Sequence, residues 1–156
     1  MLNVVPEDPY GKVESCVRQE IARYFKEQLN RPEILNRIGE NIVVFDFIRP
    51  QVAIQIYEKM KASVIERLRE RQGISLTLAE SVDAQLQELC IRDLSNGGRG
   101  IGNQLEAWFV NPLGRALFDQ DIPAAAAVRV VELQQVEGVP ALRLESTGDS
   151  ADKSGK

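Results

Sequence analysis

Ser95-Asn96-Gly97-Gly98-Arg99-Gly100, followed by a helical stretch to about Phe118, is the segment from which the rest of this chain can be laid out. Glycine tolerates left-handed and crowded backbone conformations that other residues resist. An apolar stripe begins at once with Ile101, Leu105, Trp108, Phe109, Leu113, Ala116 and Leu117. Their three- and four-residue spacing predicts a well-anchored helix. Arg99 is thus expected on a tight loop at the amino end of that helix. Such a placement aims a guanidinium at an anion, because the helix N-terminus adds its own positive field. The same local sequence also suits a loop carrying a solvated arginine.

Composition narrows the function classes. The chain has 156 residues, 44% of them hydrophobic and 27% charged, which fits one globular domain or one domain plus a piece of another. A formal net charge of −4 argues against a general nucleic-acid binder. The sequence contains no histidine, so Ser-His-Asp and Cys-His catalysis and histidine metal sites are excluded. Cys16 and Cys90 are far apart in sequence, show no metal-ligand spacing, and are expected as buried thiols of a reducing compartment. No apolar run approaches the roughly 20 residues of a membrane span, and no signal-peptide pattern opens the chain. The cytoplasm is therefore the expected location.

Working outward, residues 1–11 read as an irregular lead-in. Val13, Val17, Ile21 and Tyr24 or Phe25 predict a helix to about Leu29. Pro32 should stop it and open a short helix anchored by Ile34, Leu35 and Ile38, with Arg37 near its end and Gly39 as its stop. Residues 41–48, Asn-Ile-Val-Val-Phe-Asp-Phe-Ile, read as a largely buried strand. The clearest helix covers residues 51–72, with Ala53, Ile56, Tyr57, Met60, Val64 and Leu68 on one stripe. Glu58, Lys59, Lys61, Glu66, Arg69 and Glu70 occupy a solvated, ion-paired face. Its cations raise the option of nucleic-acid binding, but the interspersed glutamates argue against it. Residues 74–78 alternate like a half-buried strand. Ser81 is expected to cap a helix that buries Val82, Leu86, Leu89 and Cys90. Pro112 should kink the long helix after Arg99 or restart it with Asn111 as cap. Residues 128–133 and 141–145 read as strands joined through the hairpin signal Glu137-Gly138. Residues 146–156 are expected to be a disordered tail.

Two motifs, in this order of elements, resemble the carboxy-terminal part of the Clp-type AAA+ ATPases, ring-forming protein unfoldases and disaggregases. Arg31-Pro32-Glu33-Ile34-Leu35-Asn36-Arg37-Ile38-Gly39-Glu40, leading into an apolar strand, is similar to the family's Arg-Pro-Glu-Phe-Leu-Asn-Arg-Ile-Asp-Glu segment. Arg37 matches the arginine finger, which reaches the γ-phosphate of a neighbouring subunit; Gly39 stands where the family has aspartate. Asn96-Gly97-Gly98-Arg99-Gly100-Ile101 is similar to the family's Gly-Ala-Arg-Pro-Leu. Arg99 matches the second sensor, which with Gly98 contacts the phosphates of its own subunit's nucleotide; Gly100 stands where the family has proline. Asn111-Pro112-Leu113 resembles the Asp-Pro-Leu of the same helix. The match covers about residues 13–135.

The resemblance implies a mainly helical α+β architecture. Residues 1–48 would end the large nucleotide-binding subdomain, and residues 49–145 would form the small lid subdomain around a short three-stranded sheet. It implies ATP as the cofactor, subunits of the same ring as partners (a hexamer when whole), and a protein substrate or a protease as a further partner. No Gly-x-x-x-x-Gly-Lys-[Ser/Thr] phosphate loop occurs, and no strand ends in paired Asp-Glu. Magnesium and the phosphate loop would therefore come from the rest of such an ATPase, and this chain is not expected to hydrolyse ATP alone or to hold a metal. The alternative reading is a stand-alone, non-catalytic interaction or oligomerisation module with the same lid fold.

Overall fold

A computed structural model describes residues 4–146, which divide into two units, one ending at Arg49 and the other beginning at Pro50. The chain is mainly helical α+β, with one three-stranded mixed sheet. The tail was expected from Ser146, but Ser146 ends the last strand, and residues 147–156 lie outside the described residues.

The first unit opens with α1, Tyr10–Arg23, which continues through a wide π turn, Tyr24–Gln28. The helix starts earlier than its apolar spacing predicts, because Pro9 sits at the N-cap with an extended backbone (φ −63°, ψ 146°). On α1 only Val13 is buried. It is Asn30, with a left-handed φ of 48°, that turns the chain after the π turn, ahead of Pro32. Pro32 then opens α2, Pro32–Ile38, and Gly39 stops it at φ 55°. Ile34, expected as an anchor, is exposed, and Leu35 and Ile38 are half-buried.

The segment 41–49 corrects the strand expectation. It has no regular secondary structure and belongs to no ladder. Two of its carbonyls accept from side chains of α1 instead: Tyr10 donates its hydroxyl to Val44 O at 3.1 Å, and Arg18 donates to Ile42 O at 2.8 Å. Val44 is buried, whereas Val43 and Phe45 are 75% and 87% exposed. An apolar, β-branched run is recognisable from sequence, but whether a neighbouring strand exists to pair with it is not a local property. Arg49 closes the unit by donating to Pro6 O, Asp8 O and the Asp46 carboxylate.

The second unit begins with α3, Pro50–Gln72, ended by Gly73 at φ 71°. Strand β1, Ser75–Leu78, leads to α4, Glu80–Ile91, and then to α5, Gly97–Leu105. Ala79, not Ser81, is the N-cap of α4, and it makes no side-chain cap bond. The helix of α5 runs on through a π turn, Glu106–Val110, into α6, Asn111–Asp119. Pro112 therefore neither restarts the helix with an Asn111 cap nor breaks it. The wider turn, closed by Asn111 N–H to Glu106 O, is the device by which a helix absorbs a residue without an amide hydrogen. Asp121 at φ 49°, with Ile122 N–H to Leu117 O and Asp121 N–H to Phe118 O, closes α6 in a Schellman arrangement.

Strands β2, Ala127–Val136, and β3, Val139–Ser146, form the expected hairpin around Glu137-Gly138. Both turn residues have positive φ, 53° and 81°, as a two-residue hairpin loop of matching twist requires. β1 pairs with β2 in parallel and β2 with β3 antiparallel, in the order β1-β2-β3. One sheet face supplies Leu76, Val128, Val130 and Leu144 to a core completed by Leu86 and Cys90 of α4, Ile101 of α5, and Phe109. Burying these side chains stabilises the unit by roughly 1.5–3 kcal/mol each. No helix among the described residues is long and apolar enough to cross a membrane.

Candidate functional site

The turn before α5 is built by its own short-range bonds. Asp93 accepts from Ser95 N–H at 2.9 Å, and Gly97 N–H donates to Leu94 O at 2.9 Å. The Ser95 side chain first, and its amide second, hold the exposed Asp93 carboxyl below the usual carboxylate range. Gly97 takes φ 59°, a conformation that glycine adopts without the Cβ clash. Gly100 is buried, and a Cβ there would come within 3.1 Å of Asn96 Cβ. These two glycines thus have separate reasons to be glycine.

Gly97 makes the turn alone, so Gly98 and Arg99 lie in the first turn of α5 itself and not on a loop ahead of it. This corrects the loop placement expected from sequence. Arg99 is exposed. Among the described residues it forms no ion pair and no side-chain hydrogen bond, and the amides of Gly98 and Arg99 donate to no carbonyl of the preceding loop. A free guanidinium, two unspent amides and the positive end of α5 therefore coincide. That donor set fits a phosphate. The nearest acid in the turn, Asp93, is already engaged by Ser95.

Arg37 lies in the last turn of α2, exposed, and without an ion pair or hydrogen-bond partner among the described residues. Its neighbours Leu35 and Ile38 are only half-buried, so the arginine is held less firmly than its apolar flanks predict. Arg37 belongs to the first unit and Arg99 to the second.

A second polar cluster was not legible from sequence. Lys61, expected on the solvated face of α3, is 8% exposed. Its ammonium donates to both oxygens of Asp83 at 2.7 Å and to Glu58 at 3.0 Å, and it lies 4.9 Å from the centroid of the Tyr57 ring. Tyr57, fully buried, donates its hydroxyl to Asp83 at 2.5 Å. Burial, then the hydrogen bond to Asp83, push the Tyr57 phenol above its ordinary value. Burial pulls the Lys61 ammonium down, but the bonds to Asp83 and Glu58 and their charges outweigh it and hold Lys61 above the usual lysine range. The signal that could have found it is the row Ala53, Tyr57, Lys61: each residue is four after the last, so Lys61 follows the two residues of the stripe that are buried. Every buried polar side-chain atom among the described residues has a partner, and the cluster ties α3 to α4.

Cys90 is buried, as expected, and burial pushes its thiol up to about 12; Cys16 is half-buried on α1. Among the described residues no group of three His, Cys, Asp or Glu side chains could hold a metal ion. No family model and no curated protein matches the chain.

Proposed function

We propose that this chain is a carboxy-terminal segment of a Clp-type AAA+ ATPase, an ATP-dependent unfoldase or chaperone acting as a homo-oligomeric ring. Arg37 acts in trans on the nucleotide of a neighbouring subunit. Arg99, with the amide of Gly98, acts in cis on the nucleotide of its own. The observation that carries the reading is the uncompensated Arg99 guanidinium on the first turn of α5, seated by a left-handed Gly97 and a buried Gly100. Two features add support. One is the three-stranded mixed sheet with helices between β1 and β2, the architecture expected of the lid. The other is the unpaired apolar segment 41–49, whose exposed Val43 and Phe45 suit a strand with neighbours elsewhere in a large subdomain.

The chemistry asks little more of these residues than position. ATP with magnesium supplies the scissile phosphoanhydride and the charge that polarises it. Phosphoryl transfer spreads negative charge over three equatorial oxygens, and catalysis is mostly orientation and electrostatic stabilisation. Arg99 offers a planar fork of donors that remains charged at any working pH, and lysine does not reproduce it. Arg37, delivered by one subunit to the next, makes turnover depend on assembly.

In the assembled ring, Arg37→Ala should lower ATP turnover by about 10³ to 10⁵ while nucleotide is still bound. Arg99→Ala should weaken nucleotide binding in the subunit that carries it. Normal turnover and binding in both variants would sink the assignment. The absence of a phosphate loop from the sequence also favours a second reading, a non-catalytic interaction module. An in-frame Walker A and Walker B immediately upstream in the gene decides for the ATPase segment, and their absence decides for the module.

A further inference from the structure

On α3, two residue rows of four-residue spacing run side by side: Ile56, Met60, Val64, Leu68, and Lys59, Ser63, Arg67, Arg71. Only the first was expected to be core. In the fold, Met60 and Val64 are half-buried and form the floor of a groove between α3 and the α5–α6 helix. Leu105, Val110 and Leu113 line the far side. Gly102 and Gly114 keep that wall low; a Cβ on Gly114 would meet nothing within 4 Å. One half of the groove holds about 610 Å³ and the next about 250 Å³, and the halves share Val64, Arg67 and Val110. From Ile56 to Gln72 the rise of α3 gives a length of about 24 Å, the span of a helix of about 16 residues.

The charges on α3 sort by position. Lys61 and Arg69 are paired, with Asp83 and Glu58 and with Glu66 respectively. The remaining cations, Lys59, Arg67 and Arg71, all line the groove. Among the described residues none of these three has an acidic partner; Arg67 donates only to Ser63 O. Against them the groove presents one carboxylate, Glu106 on the opposite wall. The result is an apolar floor with one cationic rim.

We propose that this groove binds an acidic amphipathic helix of a protein partner. Apolar residues one turn apart sit on the floor, and a carboxylate row faces Lys59, Arg67 and Arg71. This interaction does not depend on the nucleotide reading. The floor distinguishes the site from a nucleic-acid surface, which would contact phosphates through cations and would gain nothing from Met60 and Val64.

The test uses the whole 156-residue chain and a fluorescein-labelled helical peptide, followed by anisotropy. The peptide has about 16 residues, with leucines at i, i+4, i+7 and i+11 and glutamates along one flank. A second peptide replaces the glutamates with lysines, and a third replaces the leucines with serines. The acidic peptide should bind at least about tenfold more tightly than either. Added salt should weaken it. The double variant R67E/R71E changes only exposed side chains, so its fold should be unaltered; it should lose about tenfold for the acidic peptide and gain for the lysine one. Met60→Glu should abolish binding of the acidic peptide without changing the circular dichroism. The proposal is overturned by equal binding of all three peptides, by no binding of the acidic peptide at about 100 μM, or by indifference to R67E/R71E. It is equally overturned if a DNA oligonucleotide binds as tightly. A dimer that sedimentation shows to be dissociated by R67E/R71E would assign the groove to a second copy and reject it as well.

Discussion

Replacing Asp83 by alanine tests whether the polar knot between α3 and α4 holds the second unit together. Asp83 is the acceptor for the Tyr57 hydroxyl and the main counter-ion of Lys61. Its loss leaves the hydroxyl of the fully buried Tyr57 with only the backbone carbonyl of residue 83, at 3.4 Å, which costs about 1–3 kcal/mol. Lys61 keeps only Glu58 at 2.8 Å. Breaking a fully buried pair costs about 3–5 kcal/mol, but the Asp83 side chain is 35% exposed and water can reach part of the vacated space. The net cost should be about 2–4 kcal/mol. With a urea slope of about 1.5–2 kcal/mol/M, the midpoint falls by about 1–2 M. Lys61→Met should cost less, about 1 kcal/mol, since the carboxylate it leaves unpaired is partly exposed to water and keeps Tyr57, while the ammonium no longer has to be desolvated. Tyr57→Phe should fall between the two, near the value of one hydrogen bond. Trp108, the single tryptophan of the sequence, is half-buried in the second unit, so its fluorescence follows that unit. A cost below about 1 kcal/mol for Asp83→Ala, or an equal cost for Lys61→Met, would refute the account of the knot.

The remaining tests concern pH and the turn. The Cys90 thiol, the Tyr57 phenol and the Lys61 ammonium all bind their protons more tightly folded than unfolded. The folded state therefore carries more protons above their unfolded values, and stability falls with rising pH. Urea midpoints should be full below pH 9.0, the ordinary Cys90 value, and decline toward pH 12; Cys90→Ala should delay the onset, and a stability that rises over this range contradicts the assignment. Gly97→Ala forces a side chain into φ 59°, and Gly100→Ala drives a Cβ to 3.1 Å from Asn96 Cβ. Each should cost about 1 kcal/mol or more by Trp108 fluorescence, whereas Gly114→Ala, with open space around it, should be neutral or stabilising by a few tenths of a kcal/mol. An equal cost at all three positions rejects the separate roles given to these glycines.

Much of the second unit was written into local pattern. The period of α3, the alternation of β1, the stripe from Ile101 to Ala116 and the Glu137-Gly138 turn are short-range signals, and the observed elements follow them. What the pattern missed needed tertiary partners. Residues 41–48 carry strand composition but find no neighbour to pair with among the described residues, and two of their carbonyls went to Tyr10 and Arg18. Lys61 reads as a surface lysine until Asp83 and Tyr57 are brought beside it by α4. Ser81 has the chemistry of a cap, yet the chain turned at Ala79. The exposed Arg99 and Arg37 were singled out by motif, while the groove escaped notice because half of its apolar stripe looked like ordinary core. Periodicity tells which side of a helix is apolar; it does not tell how far a neighbour covers it.

The parallel pairing of β1 with β2 has a bearing on the order of assembly during synthesis. Ser75 aligns with Ala127 and Leu78 with Val130, so β1 leaves the ribosome long before its partner and waits while α4, α5 and α6 are made. The β2–β3 hairpin closes over two residues and can zip within microseconds of emergence, on the order of 1–10 μs. The long loop closure that docks β1 is therefore the slow step, and it can only follow the helices that fill it. Until then Ile74 and Leu76 are uncovered, and the nascent chain is most vulnerable to misassociation in the interval between translation of Leu78 and of Val130.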